Sequence, residues 1–297
     1  MDVAFHIGSL AIRWYGIILA IGVIAAILLA RVEAKRRGEN PDHIYTALLI
    51  AVPLGFIGAR AYHVIDQWSY YSQYPSQIIG GAGLGIFGAV IGGALGMVIY
   101  TKWKRLSTLR WFDICAPGLI LAQAIGRWGN YFNQEVYGKP TNLPWAIYIA
   151  PENRAAGYEP FDYFHPLFAY ESFLNIIGLI MLLVAGRKYK GRLLDGELFL
   201  IYVISYSTIR FGLEWLRIDN WQLLGFPTAC WISLIAIIAS VAIIIYRRRR
   251  RRRLSGVASS ASEAEKSTPP LDAGKEARRR KSFIRIDGFF KRATIAR

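Results

Sequence analysis

The stretch Thr228–Tyr246, TACWISLIAIIASVAIIIY, runs straight into seven consecutive arginines, Arg247–Arg253, and its reading decides the fold. A helix crossing a bilayer needs about 20 mainly apolar residues, and Lys/Arg gather on the cytoplasmic side of such helices. The stretch meets both conditions. Working back toward the N-terminus, six more apolar runs follow the same logic: roughly Trp14–Ala30, Ile44–Ile65, Ile78–Tyr100, Phe112–Ile125, Leu167–Ala185 and Leu198–Trp215. Phe112–Ile125 is short and reads as continuing through Arg127.

The connections test the count. Arg31, Lys35, Arg36 and Arg37 follow the first run, Lys102, Lys104, Arg105 and Arg110 the third, and Arg187, Lys188, Lys190 and Arg192 the fifth. The alternate connections are poor in basic residues, with Lys139, Arg154 and Arg217 spread over two of them. This alternation predicts an all-α polytopic membrane protein with about seven transmembrane helices, N-terminus outside and C-terminus cytoplasmic. Its expected place is a cell membrane. The first run has Asp2 and Arg13 before it and four basic residues after it, the reverse of a secretory signal, so it reads as a structural helix.

Composition agrees. Of 297 residues, 54% are apolar or aromatic and only 19% charged, with mean hydropathy +0.29, too apolar for a soluble two-domain protein. Two cysteines exclude a disulfide scaffold. The formal charge of +16 sits mostly in residues 247–297, which carry 17 Lys/Arg against 5 Asp/Glu. The basic pI therefore belongs to a tail and does not indicate nucleic-acid binding. The division expected is a membrane domain over residues 1–246 and a basic, disordered cytoplasmic tail over residues 247–297, irregular from Leu254 onward. The tail's charge suits anionic membrane lipids, or simply anchors topology. Cys115 and Cys230 lie within apolar runs and read as small buried side chains. No metal-ligand or cofactor motif is present.

An ionisable group inside a span costs about 2.5–3.5 kcal/mol on insertion scales, so polar residues within the runs mark function. Three clusters qualify. In Gly126-Arg127-Trp128-Gly129-Asn130-Tyr131-Phe132-Asn133-Gln134-Glu135, ending near Gly138, helical spacing puts Arg127, Asn130 and Asn133 on one side. A guanidinium fork and two amides suit a phosphate or glycerol headgroup; the bland alternative is an arginine snorkelling to the interface. In the sixth run Arg210 and Glu214 are four apart, with Tyr206 one turn earlier, and pair either as a site or as a structural ion pair. In the second run Arg60, His63 and Asp66 recur every third residue, and His165 opens the fifth run ahead of Tyr170 and Glu171. In the seven-span topology all three clusters lie at the outer ends of their spans. The third run is dense in glycine: Gly88, Gly92 and Gly96 form a close-packing ladder, while Gly80–Gly85 could unwind and offer N–H groups to a ligand.

Taken in order, Arg13-Trp14-Tyr15-Gly16, Gly58-Ala59-Arg60, Gly83-Leu84-Gly85-Ile86-Phe87-Gly88, Gly126-Arg127-Trp128-Gly129-Asn130 with Asn133 and Glu135, His165-Pro166 with Tyr170-Glu171, and Arg210 with Glu214 and Arg217 resemble the prolipoprotein diacylglyceryl transferases of bacterial cytoplasmic membranes. The resemblance covers about residues 8–246. It implies transfer of the diacylglyceryl group of phosphatidylglycerol to the lipobox cysteine of a prolipoprotein, with release of glycerol phosphate. It further implies that Arg127 and Arg210 hold the phosphate, that Asn130 and Asn133 bind the headgroup, and that Glu135 and Glu214 fix the arginines. Tyr15 and Tyr206 then supply hydroxyls near the ester region, with Arg60 and Gly138 also on the substrate side. One position departs: many members carry a histidine where this chain has Phe87, so no imidazole base can act there, and His63 or His165 stands as a substitute. A transporter or channel with buried charges is the rival class, against which stand the lack of an internal repeat and of an Asp/Glu ring.

Overall fold

The computed structural model describes residues 3–8, 10–80, 83–218 and 220–267, with the side chains of Ile7, Leu10, Gly80 and residues 257–267 left aside. It is mostly helical. The long helices are α1 (Trp14–Arg36), α2 (His43–Asp66), α5 (Ile86–Trp103), α6 (Thr108–Phe132), α7 (Leu167–Lys188), α8 (Glu197–Leu213) and α9 (Thr228–Ser267). Two single-turn helices, α3 (Trp68–Tyr71) and α4 (Gln77–Gly80), lie between α2 and α5. Among the described residues five helices, α1, α2, α5, α7 and the Thr228–Gly256 part of α9, are long and apolar enough to cross a membrane. At 25 residues α6 is long enough, but Asp113, Gln123, Arg127 and Asn130 make it more polar; α8 has only 17 residues. Leu49, Phe56, Ile91, Phe173, Ile180 and Ile235 all stand exposed, as expected where the solvent is lipid rather than water.

Helix α2 packs along α5, α1 along α6, and α8 against α6 and α7. Glycine sets the first contact: a Cβ at Gly88 would run into the Gly58 carbonyl, and one at Gly92 into that of Leu54. Bare backbones thus meet where larger residues would hold them apart. At the other end of the bundle Asp113 of α6 accepts the backbone N–H groups of Gly196 and Phe199, each at 2.8 Å, with Arg37 3.5 Å away. The free amides at the start of α8 are capped by a carboxylate from a neighbouring helix.

The purely helical expectation needs correcting in three places. Short antiparallel pairs join β1 (Val3–Ile7) to β2 (Leu10–Arg13), β3 (Ile147–Tyr148) to β4 (Tyr163–Phe164), and β5 (Gln222–Leu223) to β6 (Phe226–Pro227). All lie outside the apolar runs, where backbone groups need partners that a helix does not supply. The third run is not one helix from Ile78: α4 ends at Gly80 and the long helix starts only at Ile86, with Gly83 at φ +104° and Gly85 extended ahead of it. The Gly85 N–H is occupied by the Ala59 carbonyl at 2.9 Å, so it is not offered to a ligand. The last helix does not give way to irregular chain at Leu254 but continues to Ser267; Arg, Ala and Glu favour helix, and the first proline of the tail is Pro269. Residues 268–297, and with them the rest of the expected disordered tail, lie outside the described residues. The chain divides into two compact units, Met1–Ile244 and Ile245–Arg297.

Candidate active site

The end of α6 builds the first half of the site. After Phe132 the backbone turns through two left-handed residues, Gln134 (φ +49°) and Val136 (φ +56°). A β-branched residue in that region is strained, and here the strain folds the chain back on its own helix. The Glu135 carboxylate thereby accepts from Asn130 at 2.8 Å and from Asn133 at 3.3 Å. Instead of fixing an arginine, as the resemblance implies, Glu135 orients the two amides.

The arginines meet on Glu171, a residue to which neither spacing nor resemblance assigns a role. Glu171 of α7 takes Arg127 of α6 on one oxygen at 2.5 Å and Arg210 of α8 on the other at 3.5 Å. Arg210 also pairs with Glu214 at 2.9 Å, the i, i+4 contact predicted from spacing, and Arg217 approaches the same carboxylate at 4.0 Å. Tyr206 lies within 3.4 Å of Arg127. Two arginines from separate helices, distant in sequence, thus share one carboxylate. The chain of charges holds three cations, Arg127, Arg210 and Arg217, and two carboxylates, leaving one positive charge over. The Glu171 and Glu214 side chains are 3% and 5% exposed, whereas those of Arg127 and Arg210 are 20% and 18% exposed. The acids are sealed in and the guanidiniums keep an open side, so the accessible face is electropositive. Burial, and next the Arg210 guanidinium, lower the pKa of Arg217, which still keeps its charge.

Hydrogen bonds between loops hold this geometry. Gly138 donates to the His165 carbonyl at 2.9 Å, and Lys139 to that of Leu216 at 2.9 Å. The segments after α6, before α7 and after α8 are therefore stitched to one another. A Cβ at Gly138 would sit 2.9 Å from both the Leu216 carbonyl oxygen and the His165 Cβ. Gly138, expected on the substrate side, is here a point of close backbone approach. Between α6 and α7, Ser172 donates to the Ala124 carbonyl at 2.8 Å, and the Trp128 indole donates to Ser172 at 3.2 Å. Beyond Glu135 and Arg217 opens a polar cavity of about 420 Å³, with Asn133, Tyr137 and Asn153 also in its wall.

The other expected residues have different neighbours. Arg60 donates to the carbonyls of Ile78 (2.8 Å), Gly83 (2.9 Å) and Gln77, and lies over the Tyr71 ring. It fastens the α2–α5 connection. His63 packs edge-on to Tyr71, with its ring where a Gly83 side chain would be. The His165 ring is within 3.2 Å of the Tyr170 hydroxyl, which accepts from Trp145 at 2.7 Å. These contacts bring neither imidazole to the arginines. Phe87 lies half-exposed against Tyr62. The Tyr15 ring of α1 covers Gly129 of α6, next to Asn130. Among the described residues no three His, Cys, Asp or Glu come together as metal ligands. Glu171 was open to discovery from sequence: it is an acid one turn inside an apolar run, although alone it has no partner at helical spacing.

A family model for prolipoprotein diacylglyceryl transferases matches residues 2–246. The chain is similar to the phosphatidylglycerol–prolipoprotein diacylglyceryl transferase of Trichormus variabilis, 43% identical over 246 residues, covering 81% of this chain and 87% of that protein. It is similar to the enzyme of the same name from Chloroflexus aggregans, 41% identical over 236 residues, covering 74% of this chain and 77% of the relative. A third such relative, from Lactobacillus acidophilus, is 39% identical over 248 residues, covering 80% and 87% respectively.

Proposed function

The chain belongs to the prolipoprotein diacylglyceryl transferase family, and from that premise we propose that it transfers the diacylglyceryl group of phosphatidylglycerol to the lipobox cysteine thiol of a prolipoprotein. The observation that carries this reading is the sharing of Glu171 by Arg127 and Arg210. A buried acid holds two guanidiniums close together with a surplus positive charge, the arrangement a phosphodiester monoanion completes.

In this reading Arg127 and Arg210 grip the phosphate, and Asn130 and Asn133, oriented by Glu135, bind the glycerol headgroup. The substrate thiol attacks the diacylglyceryl carbon; the new C–S bond forms as the C–O bond to phosphate breaks. Glycerol phosphate departs with the electron pair, gaining negative charge where the arginines already stand, and they stabilise that growth. The thiol's proton passes to solvent, so that a thiolate attacks and glycerol phosphate leaves as the phosphate monoester dianion. An unperturbed thiol has pKa ≈ 8.5, so electropositive surroundings favour the thiolate without a dedicated imidazole. Tyr15 and Tyr206 border the ester region. Cys115 and Cys230 take no part.

The same reading places α1, α2 and α5–α9 as seven spans in the bacterial cytoplasmic membrane, with the N-terminus outside. The alternation of Lys/Arg between connections supports this. The basic tail then meets anionic lipid on the inner side. Seven successive arginines on a helix repel one another at i, i+4, and lipid phosphates relieve that repulsion.

The test is to replace Arg127 and Arg210 separately by Ala in membrane-inserted protein and follow glycerol phosphate release from phosphatidylglycerol together with acceptor lipidation. Removal of a donor that meets developing charge lowers rates by roughly 10²–10³-fold. Near-normal transfer in both variants would refute the roles assigned to these arginines.

A further inference from the structure

The hairpin β5–β6 lies immediately before α9, and its composition is unusual for a water-exposed turn. From Trp221 to Pro227 it reads WQLLGFP, without a charge. Trp221 is 80% exposed and Leu224 83% exposed, with Leu223 and Phe226 about half-exposed beside them. Leu224 (φ +55°) and Gly225 (φ +78°) both occupy left-handed conformations, as a two-residue turn of this kind requires. Asn-Gly or Asp-Gly normally fills such a turn; a leucine there is strained and, in water, exposes its whole side chain. The strain and the exposure point the same way.

The base of the hairpin is firm. Thr228 donates to the Trp221 carbonyl at 2.7 Å, and the Trp231 indole donates to that of Leu223 at 3.1 Å. Asn220 donates to the carbonyl of Glu214 at 3.0 Å, joining the hairpin to the turn that carries Glu214 and Arg217. Its sequence position fixes its depth. Thr228, the first residue of a helix able to cross the bilayer, follows Pro227 directly, so the hairpin lies at a membrane surface. Tryptophan and leucine at that level belong in the boundary between headgroups and acyl chains.

We propose that the Trp221–Pro227 hairpin is seated in the phospholipid boundary of one leaflet, the outer one in the seven-span topology, and thereby holds the mouth of the arginine cluster at the depth of the lipid phosphates. The partner is the lipid surface itself. The inference extends the functional reading to substrate access and takes its orientation from it.

The test uses the full-length protein in phosphatidylglycerol-containing vesicles. With Cys115 and Cys230 replaced by Ala, Leu224→Cys is labelled with an environment-sensitive fluorophore. Lipids brominated close to the headgroup should quench it strongly, and aqueous iodide weakly. Quenching by iodide alone would overturn the proposal. So would a label shielded only after an acceptor signal peptide is added, which would make the hairpin a peptide-docking surface. A second variant, Leu224→Asn, installs the residue the turn prefers and should leave thermal stability in detergent unchanged or raised. Its KM for phosphatidylglycerol in vesicles should rise several-fold with kcat unchanged; an unchanged KM would count against the proposal. The quenching requires no turnover, so an inactive wild-type protein would refute the transferase reading without touching the hairpin result.

Discussion

At the scale of single residues, Glu171 ties Arg127 to Arg210. Arg127, Arg210 and Glu214 were legible in the sequence because charges at helical spacing inside apolar runs are conspicuous. Glu171 was legible only as an acid inside an apolar run; its pairing was not, because its partners come from two other helices and leave no local pattern. Breaking a buried ion pair by removing one partner costs about 3–5 kcal/mol, since it leaves charge uncompensated. Glu171→Gln should therefore lower the apparent Tm in detergent, and inorganic phosphate should restore part of the loss by supplying the missing anion, whereas wild-type protein should gain little. A thermal-shift titration checks both halves. Glu135 shows a different limit of sequence reading. Its closeness to Asn130 and Asn133 depends on the left-handed backbone at Gln134 and Val136, which side-chain pattern does not announce. Glu135→Gln should weaken transfer less than Arg127→Ala does, because an amide oxygen still accepts one bond; parallel activity assays would show the order.

Among the elements, the apolar runs locate the long helices, and errors gather at their ends. Ile78–Tyr100 is too long because Ile78 and Ile79 are apolar, yet they belong to the single-turn α4, and Gly83 and Gly85 interrupt the helix before Ile86. Leu198–Trp215 overruns because Glu214–Leu216 tightens into a 3-10 turn. The β3–β4 and β5–β6 pairs escape because two-residue strands carry no readable alternation. The α2–α5 pair offers a direct test of packing. Gly88→Leu forces a side chain against the Gly58 carbonyl, so the two helices must separate. A disulfide engineered between them should form readily in otherwise wild-type protein and poorly in this variant. Arg60→Ala should leave that pair intact and instead loosen the Gln77–Gly83 connection, seen as faster proteolysis there.

For the molecule as a whole, the charge alternation makes a prediction about orientation. A reporter fused after Arg253 should be active only in the cytoplasm, and one inserted near Gly157, in the long connection before α7, only outside. The same surplus of inward charge predicts that deleting residues 268–297 weakens binding to anionic vesicles while leaving transfer in place, measurable by flotation and by activity. One remote contact bears on how the ends of the bundle move. Asp113 pins the first turn of α8 to α6, while Arg210 lies near the last turn of the same helix, about 20 Å along at 1.5 Å per residue. In any tilt of α8 the pinned end would be the fulcrum and the helix the lever arm. Were α8 to tilt by a few degrees, Arg210 would move through about 1 Å, and its reach toward a phosphate bound as proposed would change with it.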